Sequence, residues 1–162
     1  MPASISADEI GQKVVRSIEQ LCDKDPYLLQ NDLNECSINH KLACYLQDYF
    51  PDWDVDCEYN KNAEKVKELD LPKDKINWDD TEAKSVFPDI VIHKRGDEGP
   101  NLLVIEVKKS TNKSDRKHDY NKLEAYGYEL DYSCALFLEI GTRGKSGVWD
   151  LDWKKQNNFI NI

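Results

Sequence analysis

Ile10, Val14, Ile18, Leu21 and Cys22 recur at three- and four-residue spacing and predict an amphipathic helix from Asp8 to Cys22. A turn around Asp23-Lys24-Asp25-Pro26 should follow. A second helix is expected from near Leu33 to Phe50, burying Ile38, Leu42, Tyr45, Leu46 and Tyr49, with Asn31 or Asp32 as its cap and Pro51 as its stop. From Trp53 to Tyr59 the pattern alternates. Trp53, Val55, Cys57 and Tyr59 fall on one face and Asp54, Asp56 and Glu58 on the other, as in a half-buried strand. Residues 60–85 carry no clear period. Ala63 to Leu69 reads as a short charged helix and Asp70 to Ser85 as an irregular loop, together an insertion.

Two apolar, β-branched runs come next, predicting strands at 86–93 and 101–109 on either side of the breaker cluster Gly96-Asp97-Glu98-Gly99-Pro100. Ser114 is the expected cap of a helix reaching Leu130, with Leu123, Tyr126 and Leu130 on its apolar face. Tyr132 to Ile140 is a strand, apolar enough from Ala135 to Leu138 to be covered on both sides. Gly141 to Gly147 should turn, and Val148 to Trp153 should form a last strand. At 162 residues the chain suits one domain, 1–162, in which residues 1–30 form an N-terminal helical extension.

The hairpin carries charge where its pattern asks for Val or Ile. Centred on Glu98, it sets position 89 opposite position 107, so that Asp89 lies at the same end as Glu106 and Lys108. Glu106 and Lys108 are two apart and share a face of a strand. An isolated Glu-x-Lys on a strand is ordinarily a solvated pair of little energetic weight. Here it continues the unbroken run Leu102 to Ile105, which marks an interior strand where uncompensated charge is costly.

Pro88-Asp89, a gap, and then Glu106-Val107-Lys108 resemble the signature of the PD-(D/E)xK nuclease superfamily, and the order of elements from about Glu35 to Ile140 is similar as well. That resemblance implies an α/β fold with a restriction-endonuclease-like core: a central mixed sheet of four to five strands flanked by helices, in αβββαβ order. It implies a metal-dependent nuclease hydrolysing phosphodiester bonds in DNA, with Asp89, Glu106, Lys108 and the helix-borne Glu35 as catalytic residues. Mg²⁺, replaceable by Mn²⁺, would be held by Asp89, Glu106, the Val107 backbone carbonyl and Glu35. The chemistry agrees, since a hard divalent ion prefers oxygen ligands and a nearby lysine can steady the charged phosphate. Glu58, on the side of the two aspartates in its strand, is a further candidate to line the cleft. The alternative is a catalytically silent accessory or protein-binding module on the same fold, suited by the four tryptophans and the acidic first half.

Charge changes the picture only locally. The net charge is −9, but residues 1–100 hold 12 Lys/Arg against 22 Asp/Glu, whereas residues 101–162 hold 10 against 9. Lys109, Lys113, Arg116 and Lys117 follow the ExK strand and are the expected contacts to a DNA phosphate backbone. The overall acidity argues against tight, sequence-independent duplex binding and leaves room for a homodimer or a protein partner. Cys22, Cys36, Cys44, Cys57 and Cys134 form no CxxC pair, and no signal segment or membrane span is evident, so a cytoplasmic protein with reduced thiols is expected. Gly144-Lys145-Ser146 is similar to the end of a phosphate-binding GxxxxGK[ST] loop. However, the position of its first glycine is Glu139, and a strand rather than a helix should follow, so an NTPase is rejected.

Overall fold

The run Leu102 to Val107 becomes the middle of the sheet. In the computed structural model, which describes residues 4–59, 87–96, 100–155 and 158–160, the strand β3 (Asn101–Lys109) has neighbours on both sides and Leu103 and Ile105 have no exposed surface. Each such side chain contributes about 2 kcal/mol through burial. The strands β1 (Asp54–Cys57), β2 (Ile90–His93), β3, β4 (Tyr132–Ile140), β5 (Trp149–Lys155) and β6 (Asn158–Ile160) form one six-stranded sheet in chain order. Among the described residues only the β3–β4 pair is parallel, and it is joined by a helical crossover; the other pairs are antiparallel. The fold is α/β, a mixed sheet flanked by helices. The expected count of four to five strands stops one short, because Asn158–Ile160 pairs with the end of β5 where no alternation announced it.

One face of the sheet carries three helices. The first, α1 (Ala7–Lys24), is capped by Ser6, whose hydroxyl accepts from Glu9 N at 3.2 Å, and it buries Ile10, Val14, Ile18 and Leu21. The expected turn at Pro26 is instead the start of a short helix, α2 (Pro26–Gln30), since a proline suits the first helical turn. The third, α3 (Glu35–Tyr49), buries Ile38, Leu42 and Leu46 as expected, with Tyr45 and Tyr49 only half-buried. Its cap is Asn34, which accepts from Ser37 N at 2.8 Å, rather than Asn31 or Asp32. Asp32 takes a left-handed φ of 52° and sends its carboxylate to Thr111. These helices pack on Ile90, Ile92, Leu103, Ile105, Val107, Leu136 and Leu138.

The opposite face carries α4 (Lys117–Glu129), whose Leu123 and Tyr126, with Leu130 just beyond, pack on Val91, Val104, Ala135 and Phe137. It begins three residues later than Ser114, and no side chain caps it. Ser114 instead accepts from Lys108 Nζ at 2.9 Å. The expected charged helix at 63–69 and the loop at 70–85 lie outside the described residues.

Two local departures from alternation decide which side chains share a face. The strand at 54–57 ends at Glu58, whose φ of 48° turns the chain. Tyr59 therefore packs edge-on against His93, on the face away from Trp53 and Val55, and Glu58 Oε1 lies 3.9 Å from Cys36 Sγ on the α3 side. Between β2 and β3 a bulge leaves Leu102 unmatched: Ile92 pairs with Leu103, and His93 pairs with Asn101. The register Ile90↔Ile105 continues to Asp89 opposite Glu106, not opposite Val107 as the symmetric hairpin predicts. A slip of one residue moves a side chain to the other face. The bulge thus sets Asp89 on the α4 face with Glu106.

Candidate metal centre

The end of β3 collects charge from three directions. Glu106 is 2% exposed beneath α4. Asp89, half-buried at the entry to β2, accepts from Val107 N at 2.8 Å through Oδ2, which aims its carboxyl at the end of β3. Lys122 of α4 reaches down so that Nζ donates to Glu106 Oε2 at 3.0 Å. Asp89 and Glu106, both expected from the sequence, are therefore brought together, and Lys122 joins them.

The electrostatics follow from the burial. Desolvation, and then the neighbouring Asp89 charge, push the Glu106 carboxyl well above its ordinary range, with Lys122 opposing. Asp89 is also raised, by desolvation first, against the pull of Lys122 and the Val107 N–H. Burial alone would lower Lys122, but the charges of Glu106 and Asp89 outweigh it and raise its pKa. Among the described residues four buried side-chain oxygens have no hydrogen-bond partner, and two of them, Glu106 Oε1 and the Tyr126 hydroxyl, lie under α4. The Tyr126 phenol is pushed upward, by burial first and then by the charges of Glu106 and Asp89. An unpaired buried polar atom costs about 1–3 kcal/mol, which a bound cation or a proton shared between Asp89 and Glu106 would relieve.

The other expected site residues are arranged differently. Lys108 Nζ lies 2.7 Å from Asp119 of α4 and donates to Ser114, so its charge is already answered. Glu35, at the start of α3, accepts from Lys109 N at 3.2 Å and from Asn112 Nδ2 at 3.4 Å. It sits at the end of β3, close enough for its charge to raise Asp89. Glu58 turns away to Cys36. Among the expected phosphate contacts, Lys109 pairs with Asp32 at 3.3 Å and Arg116 pairs with Glu139. Lys113 and Lys117 stay exposed at the same end of the sheet. Thr111, Thr142 and Lys109 hold the Asp32 carboxyl down at about 2, tying the α2–α3 corner to the loops after β3 and β4.

Lys122 and the Tyr126 hydroxyl are site groups that reading the strands does not reveal. The signal was the spacing Asp119, Lys122, Tyr126, three and then four residues apart on the stripe that also holds Leu123 and Leu130. Charges on a buried stripe need partners beneath it.

Among the described residues no three His, Cys, Asp or Glu side chains form a ready metal-ligating group. The pair Asp89 and Glu106 nevertheless fits a hard cation: two neighbouring carboxyls and one oxygen without a partner, in a buried setting that disfavours their bare charge. No protein-family model, curated protein or solved structure matches the chain. Among the described residues no helix is long and apolar enough to cross a membrane.

Proposed function

We propose that the protein is a Mg²⁺-dependent nuclease hydrolysing phosphodiester bonds in DNA, on a restriction-endonuclease-like core, with Asp89 and Glu106 as the metal-binding carboxylates. The observation that carries this reading is Glu106 itself: nearly inaccessible, facing Asp89, and with Oε1 unpartnered. A fold that only needed a buried strand would hold an aliphatic side chain there, as it does at Val104 on the same face.

The metal, with Mn²⁺ as a substitute, supplies a water made nucleophilic near neutral pH and neutralises charge on the phosphate. Asp89 and Glu106 hold it, with the Val107 carbonyl as a further oxygen. The Val107 N–H orients Asp89. Glu35, bonded to Lys109 N and Asn112, steadies the end of β3 beside the metal. Lys113 and Lys117 meet the DNA backbone, since Lys109 and Arg116 are engaged by Asp32 and Glu139. The chain order helix, three-stranded meander, helix and parallel strand supports the same core. Free cysteines at 22, 36, 44, 57 and 134 suit a reducing cytoplasm.

The test is cleavage of linear, circular and single-stranded DNA in Mg²⁺ and in Mn²⁺ by wild type and Asp89→Ala. Metal-dependent cleavage by wild type, absent in the variant, supports the reading. No cleavage, together with no heat of Mn²⁺ binding by calorimetry, sinks it in favour of a silent accessory module.

A further inference from the structure

The lysine at the strand position and the lysine that touches the carboxylates are different residues. Lys108 faces Asp119 at 2.7 Å, with side chains 12% and 10% exposed. Moving it toward substrate would strand Asp119 in a largely dry setting. Lys122 faces Glu106 at 3.0 Å, with side chains 13% and 2% exposed. Its ammonium bonds Glu106 and also feels the charge of Asp89. Glu106 Oε1 and the Tyr126 hydroxyl have no partner, so Lys122 leaves an oxygen of Glu106 open.

We propose that Lys122, not Lys108, is the working lysine of this site: it occupies Glu106 before metal binds and afterwards presents its ammonium to the substrate phosphate. The inference rests on the nuclease reading of the same site. A divalent ion at the open Oε1 repels the Lys122 ammonium on Oε2 of the same carboxylate, which loosens it. A flexible four-carbon stem on a packed helix lets that charge swing while its root stays fixed. Phosphate arriving at the metal is the nearest new anion. Lys108, held by Asp119 and Ser114, shapes the β3–α4 corner instead.

The experiment compares wild type, Lys108→Met, Lys122→Met and Lys122→Gln in two readouts, Mn²⁺ affinity by calorimetry and plasmid cleavage. The glutamine keeps a donor for Glu106 without the charge, and a melting curve confirms the fold of each variant. Removing the competing charge should tighten Mn²⁺ binding by at least about tenfold in both Lys122 variants. The same variants should cleave about a hundredfold more slowly, because the cation facing the phosphate is gone. Lys108→Met should leave Mn²⁺ affinity within about threefold of wild type, since its charge is already balanced. Lys122 variants with wild-type affinity and rate, beside an inactive Lys108→Met, would overturn the assignment and leave the nuclease reading standing. A wild type that neither binds Mn²⁺ nor cleaves would remove the nuclease reading and this inference with it.

Discussion

Two charge clusters share the α4 face of the sheet, one at each end, and they are finished to different degrees. At the β1–β2 end, Asp56 lies 2.8 Å from His93 Nε2 and accepts Arg95 Nε and Nη2 at 3.0 and 2.6 Å, so both its oxygens are engaged. Hydrogen bonding from Arg95 holds its carboxyl below the ordinary range, with burial working against it. At the β3 end, Glu106 has one engaged oxygen and one bare one, and its carboxyl is driven upward. Both are carboxylates beside a basic partner, Asp56 on the edge strand β1 and Glu106 on the interior strand β3. The difference is closure: the first network is complete without a ligand, and the second is not. A saturated buried network is structure; an unsaturated one is where a ligand has something to gain.

Changing each cluster should separate these roles. The largest effect is expected from Glu106→Gln. It should weaken Mn²⁺ binding by at least about a hundredfold and cut cleavage by about a thousandfold. Some stability should be lost as well, because the buried Lys122 loses its charged partner; such a loss with cleavage retained would place Glu106 among the structural groups.

Asp56→Ala should do the reverse. It strips partners from buried His93 and should cost about 2 kcal/mol in chemical denaturation, while cleavage per folded molecule stays at the wild-type level. Next in size is Tyr126→Phe, which deletes an unpartnered buried hydroxyl. A gain of about 1 kcal/mol is expected, with Mn²⁺ affinity reduced no more than severalfold. A loss of stability would mean that the hydroxyl is satisfied after all.

The smallest effect concerns pH. A carboxyl held below its ordinary value stabilises the fold above that value and loses the contribution as pH falls through the folded pKa. Wild type should therefore exceed Asp56→Asn in stability at pH 7, with the gap closing below pH 3.8, the group's ordinary value. A gap that is flat down to pH 2 would show that Arg95 and His93 contribute no charge-dependent stability through Asp56.

Much of the fold was legible from pattern. The strands at 101–109 and 132–140 follow unbroken apolar runs, and such runs are buried on both faces wherever they sit. Helices α1 and α3 follow from apolar periodicity that any covering sheet would satisfy. Less legible were α2, β6 and the cap of α3, because short elements depend on what they dock against rather than on their own period. Among the site residues, Asp89 and Glu106 stood out because charge inside an apolar strand is rare. Lys122 did not, because a lysine on a helix is ordinary until the strand beneath it is known.

Sequence alone determined the apolar strands, the two long helices and the presence of acidic groups at one end of the hairpin, since these depend on local period and composition. Tertiary structure decided which face those groups share and which lysine meets them. The bulge at Leu102 shifts the register by one residue and turns Asp89 toward Glu106. The crossover then lays α4 over β3, so that Asp119 takes Lys108 and Lys122 takes Glu106. Both choices rest on contacts between segments distant along the chain, where geometry rather than composition sets which charges meet.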